Sequence, residues 1–268
     1  MLAAWAQYWS AMGVEIVCRN TGATGVAYAQ RLGLFKFLEH EPPTSVEEHE
    51  EAGRFVEIQH IHRQPDLSKL VGDLGALLKL PELIEVVQYV VSEMTRNVIE
   101  HAGADAFVCV QHYKAAGRVS IGIADAGKGV LSTLRRYHNF QTNAEAVVGA
   151  LRPGVTGTTP APYGSFDNAG LGLFYARGLA KLTNQYFLLV SGDAAYRLKH
   201  KQKTRTPSRD PRADGHDLFE GLKPWEGTAV AIDIAATNTS LSTMFKAISS
   251  AAGPDDGLRD IKTKIIFT

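Results

Sequence analysis

Glu93, Asn97 and His101 fall at steps of four residues in the segment EMTRNVIEHA, so on a helix they stack along one face, a turn apart. A carboxylate, a carboxamide and an imidazole in that order suit polyphosphate chemistry. A magnesium ion carried by a nucleotide keeps most of its waters and takes one or two protein oxygens, which the Asn97 carboxamide can supply. Glu93, one turn earlier, can polarise a water towards a terminal phosphate. The same three residues also fit an ordinary solvent-facing helix side. Asp125 heads DAGKG (125–129), where a carboxylate at a strand end can accept a hydrogen bond from an exocyclic amine such as that of adenine. Gly127 and Gly129 leave room for a flat ring, although turns after strands use Asp and Gly anyway. Gly170, Leu171 and Gly172 in NAGLGLF (168–174) open a helix, and bare N–H groups there favour phosphate. Glycine starts helices without any ligand as well. Thr228, in EGTAVAIDI (226–234), enters a strand directly after a glycine.

The elements that must position these residues are readable from periodicity. Ile84, Val87, Val91, Met94 and Val98 alternate at steps of three and four, which predicts a helix opened at Pro81 and stopped at Gly103. Strands are expected at Ala106–Tyr113 and Arg118–Ala124, joined by a KAAG turn. Residues 127–169 read as loop. A helix from Leu171 to Leu182, a strand at Tyr186–Ser191, a final strand Thr228–Ile234 and a short helix Leu241–Ala251 complete the main part. Towards the amino terminus the expectation is a helix Leu2–Met12, a strand Val14–Cys18, a helix Thr24–Leu38, a loop Glu39–Glu51 and a strand 54–61. The segment 199–217 is polar and basic at its front, and reads as a flexible, solvated loop. Three zones follow: a small α/β region 1–65, a main domain 66–235 and a tail 236–268.

Order adds what the single motifs lack. Glu-x-x-x-Asn on a helix, Asp-x-Gly-x-Gly after a strand, Gly-x-Gly before a helix and Gly-Thr entering a late strand occur once each, in that succession. The succession resembles the GHKL superfamily of gyrase-type topoisomerases, heat-shock chaperones, mismatch-repair ATPases, histidine kinases and anti-sigma-factor kinases. EMTRNVIEHA looks like its N box, DAGKG its G1 box, NAGLGL its G2 box and EGTAVAI its closing strand. The resemblance implies an α+β fold, a two-layer α/β sandwich of the Bergerat ATP-binding type, carrying a small N-terminal extension. It implies ATP and Mg2+ as cofactors, Glu93 as the water-polarising base, Asn97 as the metal ligand and His101 near the phosphates. Asp125 would bind the adenine amino group, with Thr228 assisting through a water. Gly127 and Gly129 would shape the adenine pocket, and Gly170, Leu171 and Gly172 would form a phosphate cradle. The lid would be 131–169, including PGVTGTT (153–159). Lys128 and Arg152 read better as exposed charges than as phosphate contacts.

The branch of the superfamily stays open. HIHRQPD (60–66) echoes the phosphoacceptor box of histidine kinases, but Ile61 stands where an acidic residue is expected, and His60 lies too close to Glu93 for two long helices between them. His60 therefore reads as structural. The expectation is an ATPase switch or an anti-sigma-like Ser/Thr kinase, or else a nucleotide-sensing module with little turnover. A protein partner or a second copy of the chain would follow from the resemblance.

Bulk properties set the boundaries. The 268 residues carry 28 basic and 28 acidic side chains, for a net charge of zero, which argues against gripping a nucleic-acid backbone. Two cysteines do not make a disulfide framework. The N-terminus MLAAWAQYWSAM has no basic leader, and no run of apolar residues spans a bilayer. A cytoplasmic protein with no membrane association is expected.

Overall fold

The computed structural model describes residues 1–19, 25–38, 54–81, 83–158 and 170–252. Along the chain come α1 (Leu2–Ala11), α2 (Val26–Arg31), β1 (Phe55–Ile61), α3 (Gln64–Leu78), α4 (Ile84–Asn97), β2 (Ala106–Tyr113) and β3 (Arg118–Ala124). They are followed by α5 (Gly129–Leu134), α6 (Asn143–Ala150), α7 (Gly172–Leu182), β4 (Phe187–Gly192), β5 (Ala194–Leu198), β6 (His216–Phe219), β7 (Trp225–Ala235) and α8 (Leu241–Ala252). The fold is α+β.

The seven strands form one sheet in the order β1-β2-β3-β7-β4-β5-β6, and every neighbouring pair is antiparallel. Since β3 and β4 both run antiparallel to β7, they are parallel to each other. The chain crosses from β3 to β4 through α5, α6 and α7, and β7 fills the gap that this crossover leaves.

Alternation along the strands decides which face is covered. Val108 and Val110 of β2, Val119, Ile121 and Ile123 of β3, and Val230, Ile232 and Ile234 of β7 all join one core. Leu70 and Leu74 of α3, Val87, Val91 and Met94 of α4, and Phe174 and Leu179 of α7 close it from the helical side. The opposite face carries a smaller cluster, in which Ala3 and Ala4 of α1 meet Phe107 and Ala124, with Phe37 and Trp225 packed beside them. The sheet runs across the division drawn at residue 65, because β1 is its outer strand and Val56 and Ile61 belong to the main core.

Several expected elements are corrected. Residues 14–18 form no strand: they pair with no sheet edge, and Val14 and Val17 are exposed. The helix expected over 24–38 is interrupted, since Gly33 adopts φ 73° and a 3-10 turn, Leu34–Phe37, follows it. Residue 24 itself and the loop 39–51 lie outside the described residues.

Pro81 sits in the link between α3 and α4, and the second helix starts at Ile84. The helix α3 was not expected, although Leu67, Leu70, Leu74 and Leu78 form its buried stripe. The loop expected over 127–169 contains α5 and α6, while 159–169 are outside the described residues. The segment 199–217 is anchored, with Pro211 and Asp214 buried, and it ends in β6. Among the described residues no helix is long and apolar enough to cross a membrane.

Candidate functional site

The helix α4 is amphipathic, and Val87, Val91 and Met94 lie against the sheet. Its buried face fixes the rotation of Glu93 and Asn97. The helix widens into a π turn, Val98–Ala102, before the chain turns away at Gly103. Such widened turns recur at functional sites, where they re-aim side chains. Here the turn carries His101 to the same wall as Glu93 and Asn97, and all three line one cavity of about 710 Å³. That volume is in the usual range for small-molecule sites, roughly 300–1,000 Å³.

Asp125, Gly129, Gly170, Leu171, Gly172 and Thr228 line the same cavity. Residues that lie far apart in the chain thus converge on one space. Ile123, Val98, Val130, Leu134 and Val230 add apolar wall. Ser68 of α3, Gln88 of α4, and Ser242 and Lys246 of α8 also line the cavity.

Asp125 is 1% exposed. Its Oδ1 accepts from the Gly127 N–H at 2.8 Å and the Thr228 N–H at 3.2 Å, and its own N–H donates to the Thr228 carbonyl at 2.9 Å. Among the described residues nothing donates to Oδ2. Burial pushes the carboxyl up to about 6, and the two backbone donors hold it back. The result is a buried carboxylate fastened through one oxygen, with no donor on the other among the described residues.

The turn around it has no spare space. A Cβ on Gly227, where φ is 116°, would lie 2.3 Å from the Asp125 carbonyl oxygen. Gly127 does not line the cavity. It lies against the end of the π turn, where a Cβ would come within 2.5 Å of the Ala102 carbonyl oxygen. Its service is to hold the Asp125 loop against the helix that carries Glu93 and Asn97, and the Lys128 N–H donates to that same carbonyl at 3.1 Å.

Glu93 is mostly buried, which raises its pKa, while the adjacent Arg96 guanidinium acts in the other direction. Arg96 holds Oε1 through an i,i+3 ion pair. The start of α7 is packed close by: a Cβ on Gly172 would meet Glu93 Oε2 at 3.1 Å, and one on Gly170 would meet the Val155 carbonyl oxygen at 2.5 Å. Val155, Thr156 and Gly157 also line the cavity, and the Gly154 N–H donates to the Gly170 carbonyl. The front of PGVTGTT thus stands beside the glycines that open α7. Lys128 is exposed, and Arg152 faces Asp210 at 3.5 Å; neither lines the cavity. His60 lies in β1 on the other face of the sheet, stacked on Phe107.

Two contributors lie outside the residues that the sequence motifs single out. Ser191, buried at the end of β4, donates to the Gly227 carbonyl at 2.8 Å and accepts from the Val130 N–H at 2.9 Å. One hydroxyl thereby fastens α5 to the turn behind Asp125, and nothing in the local sequence marks it. Arg96 was findable, because it stands three residues after Glu93 on a helix. Comparison of the chain with family models, with characterised proteins and with solved structures finds no match in any of the three.

Proposed function

We propose that this chain is a magnesium-dependent ATP-binding protein of the GHKL type, built on a Bergerat-type fold, that hydrolyses ATP or transfers its γ-phosphate. The observation that carries the reading is Asp125, a buried carboxylate held by backbone donors on one oxygen, in the same cavity as Glu93 and Asn97. The split crossover through β3, β7 and β4 supports it, because it sets the Asp125 turn, the α4 wall and the start of α7 around one space.

The residues fit the ligand. Asp125 Oδ2 accepts from an exocyclic amine, and the apolar side chains around it suit the faces of a flat ring. The glycines opening α7 present backbone N–H groups to phosphate oxygens. Asn97 would hold the magnesium ion, which when bound neutralises phosphate charge. Glu93, with its raised pKa, takes the proton of the attacking water or hydroxyl.

Titration calorimetry with Mg·ATP tests the reading. Saturable binding in the micromolar range is expected, and Glu93→Ala should retain it while losing at least a hundredfold in turnover. No heat and no saturation for the native chain would remove the reading altogether.

A second reading is favoured by one contact. Arg96 occupies Glu93 Oε1, and a base held by a cation is a weaker base. On that reading the chain senses ATP or ADP and turns it over slowly, signalling to a protein partner or a second copy. Recovery of intact ATP after a single-turnover incubation would select it.

A further inference from the structure

The strand β1 ends in His60-Ile61, His62 follows directly after it, and β2 opens directly after Asp105. His60 stacks on Phe107, on the face of the sheet away from the main core, and His62 lies beside it. His60 Nε2 lies 3.0 Å from Asp105 Oδ2, and His62 Nδ1 lies 3.0 Å from the same oxygen. The three atoms all fall within 4.8 Å of one another. The rings sit side by side, with centroids 3.9 Å apart.

His60 is held in place from two directions. It stacks on Phe107 at 4.6 Å with the ring planes 11° apart, and Phe37 meets it edge-on at 6.1 Å. His62 is 57% exposed, so the cluster opens to water on one side.

We propose that His60, His62 and Asp105 form a binding site for a divalent transition-metal ion of the zinc class, a site separate from the nucleotide cavity. Zinc takes histidine nitrogens at about 2.0–2.1 Å and carboxylate oxygens at about 2.0–2.2 Å, which sets tetrahedral ligands roughly 3.3 Å apart. The two nitrogen-to-oxygen separations are already close to that edge, so a small side-chain adjustment closes the three donors on an ion. Two imidazoles and one carboxylate are also the donor set that selects zinc-class ions over magnesium, which prefers oxygen donors. The chain can therefore hold zinc here while magnesium accompanies a nucleotide elsewhere.

Water completes the fourth position at the exposed His62 side. His60 sits in β1, while His62 and Asp105 directly adjoin β1 and β2, which pair His60 with Phe107 and Ile61 with Ala106, so the sheet fixes the spacing of the three donors. The bound ion would clamp the end of β1 to the start of β2 at the outer edge of the sheet.

The test is zinc titration of the 268-residue chain, free of any histidine tag, against a chromophoric zinc indicator, with nucleotide and magnesium omitted. One equivalent should bind at micromolar or tighter affinity, and zinc should raise Tm. His62→Ala and Asp105→Asn should each weaken binding at least tenfold, while Asn97→Ala and His200→Ala bind as the native chain does. Because His62 is exposed, its variant should keep the apo Tm, which separates lost binding from lost folding. Three results would overturn the proposal: no saturable zinc binding by the native chain, native affinity in both His62→Ala and Asp105→Asn, or loss of the equivalent in Asn97→Ala.

Discussion

Asp125 combines two demands that oppose each other. Its burial raises the pKa from 3.8 to about 6, so between these values the folded chain keeps a proton that the unfolded chain has released. The fold therefore loses stability as pH rises through that window, and above it the cost is on the order of 2–3 kcal/mol. Asp125→Asn keeps an oxygen for the Gly127 and Thr228 donors and removes the buried charge. Differential scanning fluorimetry should show this variant melting above the native chain at about pH 8, with the advantage shrinking towards pH 4. Nucleotide affinity should move the other way. An amine donor needs the ionised carboxylate, so native binding should weaken as pH falls below about 6, and Asp125→Asn should bind at least tenfold more weakly at neutral pH. A variant that is more stable yet still binds nucleotide normally would separate Asp125 from ligand recognition. Asp125 stands out in the sequence as the head of a DAGKG turn, but its partner Thr228, 103 residues away, is joined to it only by strand pairing.

Between elements, contacts are set by close approach and by one buried charge cluster. The π turn after α4 touches the Asp125 loop at Gly127, and Gly127→Ala would drive a Cβ into the backbone of Ala102. Since backbone must move, a loss of about 2–3 kcal/mol in urea unfolding is expected, together with weaker nucleotide binding as Asp125 shifts from the α4 wall. The helix α7 is tied to the 199–217 segment by Asp214, whose carboxylate receives both Arg177 and Lys181, all three essentially solvent-free. Tyr196 reinforces the tie through the Pro211 carbonyl at 2.9 Å. Asp214→Ala would leave two buried cations facing each other, at a cost of about 3–5 kcal/mol in urea unfolding. The segment is largely solvated as its composition implies, but Asp214, a carboxylate that does not stand out among polar neighbours, anchors it to α7. By contrast, α6 carries a legible signature: Thr142 Oγ1 accepts from the Glu145 N–H at 3.1 Å, and Glu145 returns a bond to the Thr142 N–H, a capping box written as TNAE.

At the level of the whole molecule, β7 makes one sheet out of two. It pairs with β3 from Arg118↔Ala235 to Ala124↔Ala229 and with β4 from Phe187↔Ile232 to Ser191↔Thr228. Without it, β1-β2-β3 and β4-β5-β6 share no ladder. A chain ending before Trp225 should show no cooperative urea transition, because the central strand and the Val230, Ile232 and Ile234 side chains of the core are lost together. A cooperative transition in that truncated chain would mean that the helical layer alone unites the halves.

The amino-acid sequence by itself determined the elements whose pattern is local. The strands β2 and β3 appear with the limits that alternation predicts, α4, α7 and α8 differ by a few residues at most, and Glu93, Asn97 and His101 fall on the wall that their spacing implies. Tertiary structure alone decided that residues 14–18 stay out of the sheet, that β5 and β6 join it, and that β7 sits between β3 and β4. It also brought His60 and His62 to Asp105. A helix satisfies its hydrogen bonds within a few residues of chain, so its signal is local. A strand satisfies them only against a neighbour, and which neighbour it finds depends on the whole chain.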